Sequence, residues 1–468
     1  MPSTSSSAEI SANVKQLLKV FDTEQEKLLQ EFFDFLRFQS VSSEPEFAPE
    51  VLRCANWVKS FLEDAGMKVE LWESEHHPVV FATWLGAGPD KPTLLIYNHY
   101  DVQPVDPLEL WESPPFEPTL RGNEIYARGA EDNKGQCFYV MSAVRHLLKT
   151  NKSLPVNIKL CIEGEEETGS QGIGLFLDKK KEQLKADHLF IVDLGIHTPD
   201  SPALTLGVRG IVTMTVELIG SYGDLHSGTH GGVVYNPNRG MAELLATLHD
   251  SEGRVAIAGF YDDVFDVPAA ELQKIDTSFN ENEFRSMFGA KTTGGEKKFS
   301  AIESAWIRPT LEINGISGGY AGEGFKTVIP AKCLAKISCR LVPKQNPLKI
   351  IELVEKHLRE HTPGGLDIVI TQNHGSGAPA LRTSSDTAGV RAAADVLTAL
   401  FDIPCQYILS GGSIPIVPEL AKAAGAEVVM MGFGLPDDNI HAPNEHFGID
   451  RIKKGFATMA GIILTLGR

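Results

Sequence analysis

The stretch Thr93-Leu94-Leu95-Ile96-Tyr97-Asn98-His99-Tyr100-Asp101 passes from an unbroken apolar run into a histidine and a carboxylate. Thr93–Tyr97 reads as a strand, and Val156–Ile162, Leu189–Val192 and Glu427–Met431 read the same way. Helical spacing lies between or after these runs, at Gly135–Lys149, Asp386–Phe401 and Ile449–Leu466. Upstream, two further helices are expected, from about residue 10 to 38 and from about Pro49 to Ala65. Strands alternating with helices predict an α/β fold, a sheet covered on both faces.

Open α/β sheets bind their ligands beyond the carboxyl ends of the strands, so the residues that follow each run matter most. His99 and Asp101 follow the first, and Glu163-Gly164-Glu165-Glu166-Glu167-Thr168-Gly169 follows the second. Asp193 ends the third, and His441 comes after a loop beyond the fourth. Asp132, just before the helix expected near Lys134, joins them. Taken singly, each has an ordinary reading: a surface turn, a solvated acidic face, a helix cap. Together they fall at successive strand ends, which independent surface features would not do. Two histidines with several carboxylates form the mixed nitrogen and oxygen donor set that suits Zn²⁺ or Mn²⁺.

The middle of the chain has a different rhythm. Val212–Ile219, Thr310–Asn314, Ala335–Leu341 and Leu366–Thr371 are strand-like. Pro347–His361 is an amphipathic helix started by Asn346, and Asn238–His249 is a second. Strands with two helices predict an inserted α+β domain at 209–378, within a discontinuous catalytic domain of residues 1–208 and 379–468.

The net charge of −18 argues against nucleic acid and gives no attraction to anionic membranes. Six scattered cysteines without a C-x-x-C pair read as reduced, buried thiols of a cytoplasmic protein. No secretory leader or membrane-spanning run is expected. Gly319-Tyr320-Ala321-Gly322-Glu323-Gly324 starts like a phosphate loop, but Phe325 stands where lysine belongs.

Longer motifs carry a family resemblance. They are His99-Tyr100-Asp101-Val102-Gln103-Pro104, Arg128-Gly129-Ala130-Glu131-Asp132-Asn133-Lys134-Gly135 and Glu163-Gly164-Glu165-Glu166-Glu167-Thr168-Gly169-Ser170. Asp224-Leu225-His226-Ser227-Gly228, Lys326-Thr327-Val328-Ile329-Pro330, Arg340-Leu341-Val342-Pro343 and Gly411-Gly412-Ser413-Ile414-Pro415 continue the series. In this order they resemble the co-catalytic metallopeptidases that include the cytosolic non-specific, carnosine and Cys-Gly dipeptidases, with aminoacylase and desuccinylase as more distant relatives. Asn98 stands where that family usually has glycine, and Leu409 where its nearest members carry a charge.

The resemblance implies a di-metal exopeptidase-type catalytic domain, its mixed sheet flanked by helices, with the insert serving as lid and dimerisation domain. It implies two divalent ions per subunit, Zn²⁺ or Mn²⁺. His99 and Asp193 would hold one, Glu167 and His441 the other, and Asp132 would bridge them. Asp101 would orient His99, and Glu166 would be the general base. His226, reaching the site of a partner subunit in a homodimer, would stabilise the oxyanion. Thr327, Arg340 and Ser413 would hold the substrate, Arg340 taking its carboxylate. The activity implied is hydrolysis of dipeptides. Alternatives are an amidohydrolase of N-acyl amino acids on the same metal core, and a non-catalytic metal-binding relative.

Overall fold

Thr93–His99 and Asn157–Glu163 are buried on both faces almost throughout, which is why their sequences show no polar alternation. They lie side by side and parallel, with His99 opposite Glu163. His188–Val192 pairs parallel with Thr93–His99, and Glu427–Met431 pairs parallel with His188–Val192. These four strands form the centre of a mixed sheet. The computed structural model describes residues 7–151, 153–196, 198–372, 377–412 and 414–467. Its chain divides into two units, Met1–Leu206 with Thr383–Ile408 and Glu419–Arg468, and Gly207–Arg382 with Leu409–Pro418.

In the first unit, the edge of the sheet beyond Asn157–Glu163 is antiparallel: Val79–Trp84 pairs with Asn157–Glu163, and Lys68–Trp72 with Val79–Trp84. On the other side, Met430 meets Thr205 of the antiparallel Ala203–Val208 strand. The α/β class expected from alternation is the class observed. The helices Ser7–Leu36, Lys134–Thr150, Ala388–Phe401 and Ile449–Leu466 pack on one another. Phe32 stacks on Phe138 with ring centroids 5.1 Å apart, and Phe21 meets Phe456 at 5.7 Å. Full burial of such a ring contributes about 1.5–3 kcal/mol. A Cβ on Gly461 would stand 2.9 Å from Val396 Cγ1, so the absence of a side chain lets two of these helices approach.

The second unit holds an antiparallel sheet in the order Thr310–Gly318, Lys332–Leu341, Gly210–Ile219, Asp367–Gln372. Gly210–Ile219 alternates buried and half-buried residues, and Val212, Met214, Val216 and Leu218 enter the core. The helices Pro237–Ala246 and Pro347–His361 supply Met241, Leu244, Ile350 and Val354 to the same core. Each begins with an asparagine cap and a proline: the Asn236 side chain accepts from Asn238 N, and Asn346 from Leu348 N and Lys349 N. Among the described residues no helix is long and apolar enough to cross a membrane.

Candidate metal centre

The carboxyl ends of the parallel strands carry the chemistry. His99 is the last residue of its strand, fully buried, and Asp193 immediately follows His188–Val192. The His99 Nε2 atom is 3.1 Å from Asp132 Oδ1 and 3.4 Å from Asp193 Oδ1. Its other nitrogen, Nδ1, faces the Asp101 carbonyl oxygen at 3.1 Å and the Asp101 carboxylate at 3.3 Å. An acceptor at Nδ1 fixes the proton there and leaves the Nε2 lone pair directed at Asp132 and Asp193.

Asp101 does more than hold the ring. Its Oδ1 accepts from Glu166 N and its Oδ2 from Glu167 N and the Ser42 hydroxyl. One buried carboxylate thus joins the end of one strand to the loop beyond its neighbour. That loop begins at Glu163, which accepts from the Tyr97 and Ser170 hydroxyls. Glu165 accepts from His77 N and Gly172 N. Glu163 and Glu165 therefore brace the turn, leaving Glu166 and Glu167 to face the centre.

Glu167 Oε2 is 3.3 Å from His441 Nε2 and accepts from Gln103 Nε2 at 2.7 Å. The same His441 nitrogen lies 2.9 Å from Asp132 Oδ2. Asp132 therefore turns one oxygen to each histidine. The His441 backbone has φ +59°, in the left-handed region, as do Asn439 at +56° and Asn444 at +63°. Such backbone costs of order 1 kcal/mol per residue and persists only where surroundings enforce it. Here Asp438 is paired with buried Arg451, and Asn444 bonds Glu112 N and Leu110 O.

Electrostatics sharpen the picture. Burial, with the nearby Asp132 charge adding to it, pushes Glu167 up to about 10. Burial likewise raises Glu166 and Asp193, whose carboxylates repel their neighbours. Burial would lower His99, but Asp193, Asp101 and Asp132 outweigh it and raise it. Hydrogen bonding to Asp132 raises His441. Asp132 is held below the usual carboxylate range, against its burial, by His441 and His99.

Two donor groups result, His99–Asp132–Asp193 and Asp132–Glu167–His441, each with ligand atoms within 4.8 Å of one another. A tetrahedral ion with bonds of about 2.1 Å sets its donors roughly 3.4 Å apart, and the pairs here stand at 2.9–3.4 Å. Glu167 Oε1 is buried without a hydrogen-bond partner, an arrangement that costs free energy unless a cation meets it. The residues fit a pair of divalent ions. A third acidic group, Glu124, Asp438 and His446, already has its cation, because Arg451 pairs with both carboxylates.

The remaining expected residues lie in the second unit. His226 and Thr327 come together, Nε2 to Oγ1 3.4 Å, at the short pairing of Leu225–His226 with Val328–Ile329. His226 Nδ1 accepts from Gly228 N at 3.0 Å. Arg340 sits in the Lys332–Leu341 strand opposite Ile211 and Thr310. Ser413 lies outside the described residues. The sequence did not point to Asn98, Asn133 or Glu445. Asn133 Nδ2 donates to Asp193 Oδ1 at 2.6 Å and to the Val192 carbonyl. Asn98 donates to Asn133 Oδ1 and to the same carbonyl. The presence of asparagine where glycine is usual was the one available signal.

Residues 95–465 match the profile of Peptidase family M20/M25/M40. The chain belongs to that family. It is a metallopeptidase, an enzyme that hydrolyses peptide bonds. It is 30% identical to the Cys-Gly metallodipeptidase DUG1 of Candida albicans, with 97% of this chain and 98% of that protein covered. Human carnosine dipeptidase 1 has the same fold, with TM-score 0.83 and 28% identity, covering 97% of this chain and 98% of the other. The M20 family metallo-carboxypeptidase Sso-CP2 of Sulfolobus solfataricus superposes with TM-score 0.85 at 34% identity, covering 94% and 99%. The resemblance drawn from the motifs is thus the family found.

Proposed function

We propose that this M20 peptidase cleaves dipeptides, using two divalent ions, Zn²⁺ or Mn²⁺, that share Asp132. His99 and Asp193 would complete one ligand set, and Glu167 and His441 the other. Ions held by these residues would supply Lewis acidity, which makes a water more acidic and polarises a carbonyl. Glu166 then takes the proton of the attacking water and hands it to the departing amine. Asp101 keeps His99 in one tautomer and Glu166 in place through its backbone amide. Thr327 and Ser413 would contact the substrate, and Arg340 would grip its carboxylate with the guanidinium fork. His226 would donate to the developing oxyanion from a partner subunit in a homodimer.

One observation carries this reading: two donor groups with a carboxylate in common. The dipeptide preference is supported by the dipeptidase names of the full-length relatives. The test is amino-acid release from a panel of dipeptides, longer peptides and N-acyl amino acids, by protein stripped with chelator and reloaded with Mn²⁺ or Zn²⁺. Dipeptides with a free amine should turn over fastest, and only after reloading. Preference for longer peptides would make the chain an exopeptidase of longer substrates, and preference for acylated substrates an amidohydrolase.

A further inference from the structure

Glu445 is fully buried four residues beyond His441, and it accepts four hydrogen bonds from one segment. Its Oε2 takes Arg128 Nη1 at 2.7 Å and Gly129 N at 2.9 Å. Its Oε1 takes Glu131 N at 3.0 Å and Asp132 N at 3.1 Å. A carboxylate offers about four lone-pair positions, so these donors fill them. The Ala127 N–H also donates to the Glu445 carbonyl. The segment leading into Asp132 is therefore wrapped around one side chain, and that side chain belongs to the loop that carries His441. Arg128 is itself fixed, donating to the Pro104 carbonyl at 2.9 Å.

We propose that Glu445 is a positioning residue of the metal centre, clipping the Asp132 segment to the His441 loop so that the two ligands meet. The inference rests on the two-ion reading above. It gives Glu445 no contact with substrate or with the reacting atoms. Asp132 and His441 are 309 positions apart in sequence, so their approach depends on contacts of this kind. Loss of the clip lets both ligands relax, which weakens ion binding before it touches substrate binding.

The test is calorimetric titration of Mn²⁺ into the chelator-stripped full chain as wild type, Glu445→Gln, Glu445→Asp and Glu296→Gln. Glu296 is the control, a buried carboxylate paired with Arg308 in the other unit. Both Glu445 variants should bind Mn²⁺ about 10- to 100-fold more weakly, the usual cost of disturbing a ligand's supporting partner. The control should stay within about two-fold of wild type, whatever its thermal stability. Excess Mn²⁺ should restore much of the lost turnover with KM for dipeptide unchanged. Glu445→Asp keeps the charge, so it decides the matter if the glutamine variant does not fold. Folded Glu445 variants that bind Mn²⁺ as wild type does overturn the proposal and leave the two-ion reading standing. A wild type that takes up neither Mn²⁺ nor, in the same titration, Zn²⁺ overturns the two-ion reading, and the clip with it.

Discussion

Glu166 and Glu167 are chain neighbours whose backbone amides are held by the two oxygens of one carboxylate, Asp101. Glu167 approaches His441, while Glu166 is free to act on a proton. Glu166→Ala should therefore keep its bound metal by elemental analysis yet lose about 10²- to 10⁴-fold in kcat. Unchanged turnover would remove Glu166 from the mechanism. Glu163, at the strand end, behaves differently. Burial in the first place raises it from its usual 4.5 to about 8, against hydrogen bonds from Tyr97 and Ser170. It stays protonated in the folded chain at pH values where the unfolded chain has ionised. Its contribution to stability is therefore lost as pH climbs from about 4.5 to about 8. Glu163→Gln should flatten the fall in melting temperature over that window, and a fall as steep as in wild type would count against it. At this scale the sequence displayed the residues that approach the centre, because histidine and carboxylate at strand ends are visible as letters. Glu445 and Glu165 were not legible, since most of their partners are backbone N–H groups that every residue has.

Among the elements, the parallel strands do the placing. Their carboxyl ends bring His99 and Asp193 to one rim, and the apolar runs that build them were plain in the sequence. The edge strands were not: Lys68–Trp72 mixes charge with apolar residues, and its pairing with Val79–Trp84 is set by tertiary contact rather than local pattern. Behind His99, Asn98 and Asn133 stitch two strand ends and a helix start together through the Val192 carbonyl. Replacing Asn98 with alanine leaves Asn133 Oδ1 only the 3.4 Å amide of His99 as donor. Urea unfolding of Asn98→Ala should show a loss of about 1–3 kcal/mol, the cost of a stranded buried polar group. A loss under about 0.5 kcal/mol would mean that the network adjusts without it.

For the whole molecule, the family was legible because its motifs are contiguous and ordered along nearly the entire chain, and the profile match over residues 95–465 agrees. A role for the second unit is implied by the resemblance alone, since nothing in periodicity says which site His226 serves. If it serves a partner's site, two inactive variants should complement each other. A mixture of His226→Ala and Glu166→Ala chains, allowed to exchange subunits, should regain a substantial part of wild-type turnover, because one hybrid site then holds both intact residues. A mixture as inactive as its components would place His226 outside any partner's site. Beneath all of this lies the shared carboxylate of Asp132, whose two oxygens face two histidines from opposite ends of the chain. The most direct measurement is anomalous diffraction from crystals grown with Mn²⁺. Two peaks should flank Asp132, one among His99 and Asp193 and one among Glu167 and His441, roughly 3.5–4 Å apart. A single peak, or Mn²⁺ bound away from Asp132, would contradict the account.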